Sequence, residues 1–92
     1  MKRSAPHRGK MPEAVRDAVL ARDAHTCQAQ VRGYPHHCAG RLHVHHVRLR
    51  SQGGRDHPDD LVTVCASAHH QIHNVDRRGA EEYGLIRRRA SP

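Results

Sequence analysis

The run LHVHHVRLRSQGGRDHPDDLVTVCASAHHQIH, residues 42–73, decides how this chain folds. Leu42, Val44 and Val47 interleave with His43, His45 and His46, a strand-like alternation. Leu61-Val62-Thr63-Val64-Cys65 is the clearest strand in the chain. The connection between them, Arg48 to Asp60, is polar and contains Gly53-Gly54 and Pro58; long ordered connections often carry function. Ser67 can cap a helix from Ala68 that bears His69, His70, Ile72, His73 and Val75 and closes at Arg77-Arg78-Gly79. The order strand, loop, strand, helix gives an α+β class.

Upstream, PEAVRDAVLARD places Pro12 at a first helical position, with Val15, Val19, Ala18 and Arg22 recurring at helical spacing. Cys27 to Gly40 contains Gly33 and Pro35 and has no sustained period, so it reads as a loop-like knuckle held by Cys27 and Cys38. Residues 1–11 form a basic arm, residues 12–86 one domain with its core motif at 42–74, and residues 87–92 a basic tail. Ala80 to Gly84 offers one further helical turn.

A chain of 92 residues makes one small domain. With 36% hydrophobic residues, no Trp, no Phe and two Tyr, a purely apolar core is marginal, and small scaffolds in this position add disulfides or a metal. Three Cys cannot pair completely, which favours a reducing, cytoplasmic setting, and eleven His are in surplus. No apolar run approaches the roughly 20 residues of a membrane span. The net charge of +7 points to a polyanionic partner, most simply nucleic acid.

His69 and His73, four apart on a helix, project from one face and can converge on one divalent ion. His70 stands where a zincin requires its general-base Glu, and the Cys27 to Cys38 spacing misfits a C2H2 finger, so both families drop out. A third ligand should come from the adjoining strand. Alternation puts His43 and His45 on one face and His46 on the other, and does not choose between the first two. The opposite-facing neighbour can take a proton from water near neutral pH.

Residues 42–73, about a third of the chain, resemble the HNH endonuclease motif, a ββα-metal fold in which a hairpin and a helix grip one divalent cation. Arg22-Asp23 and Cys27 resemble the lead-in of many members. The resemblance implies His45, His69 and His73 as metal ligands and His46 as general base. Asp60 stands where the name-giving Asn is usual; it can accept the same hydrogen bonds but cannot donate through an amide. Many relatives carry a structural zinc on two Cys pairs. Here Cys27, Cys38 and Cys65 are present but the fourth place is Ala68, leaving His70, His37, His36 or His25 to complete a site, or no zinc at all with Cys65 as a buried apolar residue.

Arg48, Arg50 and Arg55 flank the motif and can hold phosphate, Arg50 first because Gly53-Gly54 permits close approach. The expected activity is metal-dependent hydrolysis of DNA phosphodiester bonds. It uses one Zn, Ni, Mn or Mg ion, nicks with low sequence specificity, and leaves 5′-phosphate and 3′-hydroxyl ends. One site per chain means that a monomer nicks, whereas cutting both strands needs a dimer or successive events. The rival from another class is a non-catalytic zinc-stapled nucleic-acid-binding module. Small proteins of this kind are common in phages and prophages, so a nuclease active only beside packaging or recombination proteins is a third reading.

Overall fold

The computed structural model describes residues 11–48 and 55–87. Arg50, Gly53-Gly54, the arm before Met11 and the tail after Arg87 lie outside the described residues.

Two antiparallel strands form the centre: β1, Leu42–His46, and β2, Leu61–Cys65, in register from Leu42 opposite Cys65 to His46 opposite Leu61. The amide of Val47 donates to the Asp60 carbonyl and extends the pairing by one step. All five residues of β2 are buried, because α1 (Glu13–Arg22), α2 (Gln28–Val31) and α3 (Ala66–Asn74) pack around it. This explains why its sequence is a continuous apolar run rather than an alternation. Within α1 the buried residues are Val19 and Leu20, while Ala18, expected in the stripe, is exposed.

The helix after β2 begins earlier than the Ser67 cap predicts. Cys65 is its N-cap, and the Cys65 Sγ accepts from the Ala68 amide at 3.3 Å. The Ser67 amide instead donates to the carbonyl of Ala39, tying the knuckle to the start of α3. Close approach there demands Gly40: its φ is +90°, and a Cβ would stand 2.8 Å from that of Ala66. The knuckle also contains a helical turn, α2, that its irregular sequence did not announce.

The helix also ends earlier. Val75 is its C-cap and is 72% exposed, while Asp76 accepts from the Gly79 amide and starts α4, Arg77–Glu82. Arg77-Arg78-Gly79 therefore opens a helix and does not close one; the decisive signal is Asp at an N-cap, where its carboxylate satisfies a free amide. After α4 the chain returns to the sheet, and the Arg87 amide donates to the Val47 carbonyl at 2.8 Å. That return brings Leu85 over β1.

The outer edge of β2 is closed by side chains. Asp23 accepts from the Thr63 amide at 2.9 Å, Arg22 donates to the Leu61 carbonyl at 2.7 Å, and the Cys65 amide donates to the Cys27 Sγ at 3.3 Å. The Arg22-Asp23 dipeptide thus replaces a third strand. No helix among the described residues is long and apolar enough to cross a membrane.

Replacing Asp23 by Ala leaves the buried Thr63 amide unpaired. The expected cost is about 1–3 kcal/mol, read as a lower urea midpoint at unchanged slope. An unchanged midpoint would show that the edge brace is dispensable.

Candidate metal centres

Three imidazoles meet where β1 lies against α3. The ring centroids of His45, His69 and His73 are 5.4, 5.1 and 4.7 Å apart in the pairs 45–69, 45–73 and 69–73. One ring nitrogen from each lies within 4.8 Å of the others. The helical spacing of four places His69 and His73 on one face, and strand alternation aims His45 at it. His43 shares that face and stacks on His69 at 5.0 Å between centroids, but it lies outside the converging group.

His45 is fully buried, and its Nε2–H donates to the Leu85 carbonyl at 2.6 Å. A carbonyl can only accept, so the proton is fixed on Nε2 and Nδ1 keeps its lone pair. That Nδ1 is buried without a hydrogen-bond partner. A buried bare acceptor costs free energy unless something fills it, and an imidazole oriented by a backbone carbonyl is the usual state of a metal ligand. The donor set therefore fits a divalent cation. Burial, opposed by the Leu85 hydrogen bond and reinforced by like-charge repulsion from His69 and His73, pushes the pKa of His45 down to about 3. Burial and His73 push that of His69 down to about 4. His73 is lowered by burial and then by Arg77 and His46. All three rings are neutral near pH 7, the form that binds metal.

His46 points to the other face of β1. Its Nε2 stands 2.8 Å from the Asp56 carboxylate, which can only accept, so Nε2 carries the proton and Nδ1 is left as a base. Asp56 was not anticipated from the sequence: it lies in a polar run where no spacing rule singles it out. Among the described residues no hydrogen bond joins Asp60 to His46. It is buried and accepts from the Arg55 amide and guanidinium at 3.3 Å each, with Arg87 at 3.4 Å on its other oxygen. Burial opposes its ionisation, but the Arg55 hydrogen bonds and the charges of Arg55 and Arg87 outweigh it and hold the carboxyl below its ordinary range. Asp60 thus pins the returning end of the loop.

A second group gathers at the knuckle, where Cys27, His36, Cys38 and Cys65 offer ligand atoms within 4.8 Å of one another. All three cysteines are free thiols. The His36 Nδ1–H donates to the Tyr34 carbonyl at 2.7 Å, which leaves Nε2 facing the Cys27 Sγ at 3.9 Å. This repeats the device at His45. Among the four histidines open at the fourth place, His36 stands in the group, and His70, His37 and His25 do not. His70 is exposed on the far side of α3 and pairs with Asn74, because adjacent helical residues point about 100° apart. Burial raises the Cys65 thiol, but hydrogen bonds from the Ala68 and Ala39 amides and the neighbouring thiols prevail and lower it to about 7. Desolvation, followed by hydrogen bonding and charge repulsion from the other two sulfurs, pushes the Cys38 thiol up to about 12.

Of the expected phosphate-binding arginines, Arg55 is engaged by Asp60 and Arg48 also has an interaction partner. His57 is half-exposed and accepts from the Asp59 amide, capping the short 3-10 turn Pro58–Asp60.

The family model described as HNH endonuclease matches residues 25–75. No curated protein and no solved structure matches the chain.

The neutral histidines predict an acid-sensitive fold. The unfolded chain takes up protons near pH 6.5, whereas folded His69 and His45 resist until about 4 and about 3. Protons bind the unfolded state more, so the contribution of these rings is complete above about pH 6.5 and declines as pH falls toward 3. Metal-free protein should lose urea stability steadily between about pH 7 and pH 5. A level profile over that range contradicts the burial of neutral rings.

Proposed function

The chain belongs to the HNH endonuclease family, and on that premise we propose that it is a metal-dependent DNA endonuclease hydrolysing phosphodiester bonds. The observation that carries this reading is the bare, buried Nδ1 of His45 converging with His69 and His73, beside a histidine held by a carboxylate. His45, His69 and His73 would hold one divalent cation, which would supply Lewis-acid stabilisation of charge on the phosphate. His46 takes a proton from water at Nδ1 as the water oxygen attacks phosphorus. The bond from phosphorus to the 3′ oxygen breaks, its electron pair leaving with that oxygen, which takes a proton from solvent water; the products are a 5′-phosphate and a 3′-hydroxyl, and His46 returns its proton to solvent.

Asp56 holds the His46 ring in one orientation and tautomer and stabilises the imidazolium that forms, the part a carboxylate plays behind a histidine base. Asp60 keeps the end of the loop seated through Arg55 and Arg87. One such site per chain supports nicking of a single strand. The ligands are three imidazoles without a carboxylate, a set that suits zinc, nickel or manganese and also magnesium through added waters.

Cys27, His36, Cys38 and Cys65 would hold a structural zinc ion, three sulfurs and one imidazole completing its usual four-ligand set. It would join α2, the knuckle and the junction of β2 with α3, supplementing a core poor in large side chains.

Two outcomes follow. Supercoiled plasmid incubated with the protein and Mg²⁺, Mn²⁺, Ni²⁺ or Zn²⁺ should be converted to the nicked form, with His46→Ala slower by about 10²–10⁴-fold. Equal conversion by wild type and variant would remove His46 as the base. Elemental analysis after mild chelation should retain one zinc per chain in the wild type and in His70→Ala, and lose it in His36→Ala. Retention in His36→Ala, with loss in His70→Ala, would reverse the assignment of the fourth ligand.

A further inference from the structure

A cleft of about 490 Å³ opens beside the His45 cluster and is lined by Arg16, Arg41, Leu42, Val44, His46 and His69, among others, with no acidic residue in its wall. It lies along the unpaired edge of β1. The Val47 amide points at Asp60 on the β2 side, and peptide groups alternate along a strand. Those of Leu42, Val44 and His46 therefore face away from β2, and no other strand among the described residues pairs with that edge. Arg16 comes from α1 and Arg41 from the residue before β1. Among the described residues neither guanidinium has a hydrogen-bond or ion-pair partner, unlike Arg55.

Two unspent guanidinium groups, a row of outward backbone amides and an apolar floor suit a polyanionic strand that also presents sugar and base surface. Backbone N–H groups and arginines are standard donors to phosphate oxygens. We propose that this cleft seats the phosphodiester strand next to the scissile bond, with Arg16 and Arg41 gripping flanking phosphates and the β1 edge donating to the strand between them. An open strand edge also suits an extended peptide, but a wall with two arginines, three histidines and no carboxylate favours phosphate.

The proposal rests on the nuclease reading for its position, since His46 and His69 both line the cleft. It names residues outside the metal and base machinery, so the two can fail separately. It also shifts phosphate binding from Arg48, Arg50 and Arg55 in the connecting loop to Arg41, just before β1, and Arg16, which only the fold brings to the site.

The test compares full-length, metal-loaded protein, Arg16→Gln/Arg41→Gln, and Arg78→Gln on exposed α4 as the control. Binding to a short fluorescein-labelled DNA duplex is followed by anisotropy over a salt series, in a His46→Ala background so that the duplex stays intact. The double variant should bind about tenfold more weakly, with its log Kd against log salt slope smaller by about two, one per lost phosphate contact. In the active background KM for nicking should rise while kcat changes less than about threefold, as for loss of uniform binding. Metal content and the circular dichroism spectrum, unchanged from the parent, show that the fold is intact; if they change, Arg16→Lys/Arg41→Lys must restore both the fold and the salt slope, and failure to restore the slope overturns the proposal. A salt slope equal to that of Arg78→Gln overturns it, as does an affinity loss that is independent of salt. If the parent nicks nothing with any cation while the double variant still loses salt-dependent binding, the cleft stands and the nuclease reading falls.

Discussion

The hydrogen bond from His45 Nε2 to the Leu85 carbonyl joins the middle of β1 to the end of the described chain, across forty positions of sequence. It fixes one ring nitrogen as a donor and leaves the other bare inside the protein, next to His69 and His73. Most of the fold serves that arrangement. The Arg87 amide on Val47 holds the returning segment in place, α4 starts from Asp76 so that the chain can turn back, and β2 supports β1 from the other side.

The same construction appears twice. At His36 the Tyr34 carbonyl accepts a hydrogen bond from Nδ1–H and so presents Nε2 to the sulfurs, as Leu85 does in mirror sense for His45. A backbone carbonyl is a dependable orienting partner because it cannot titrate and its direction is set by the fold. The cysteine cluster sits at the junction of β2 with α3, so the helix that delivers His69 and His73 begins from the cysteine-lined knuckle. The core is made of small and medium residues, with Ile72, Leu85, Val19 and Val64 its largest fully buried apolar side chains, which is consistent with fold support from metal.

Much of this was legible in the sequence because it depends on local periodicity. LVTVC at 61–65 forms β2 over the residues expected, and the four-residue spacing of His69 and His73 sets their common face. Periodicity left His43 and His45 equivalent; only the resemblance chose between them, and the fold shows that His45 lies in the group while His43 packs at its flank. What was not legible depends on contacts between distant segments. His36 outranks His70 because the knuckle folds over α3, Asp56 reaches His46 across the loop, and Asp23 reaches Thr63 across the sheet. The misplaced ends of α3 have a different cause: a cysteine thiol acts as the N-cap, and an aspartate two residues after Asn74 starts a new helix within a stretch that reads as a basic terminus.

Anomalous diffraction from crystals loaded with nickel or zinc, collected at the metal's absorption edge, tests the central claim most directly. The account predicts one peak within bonding distance of His69, His73 and Nδ1 of His45, with Nε2 of His45 still on the Leu85 carbonyl. A peak held by His43 or His46 in place of His45, or none between the three rings, would contradict it.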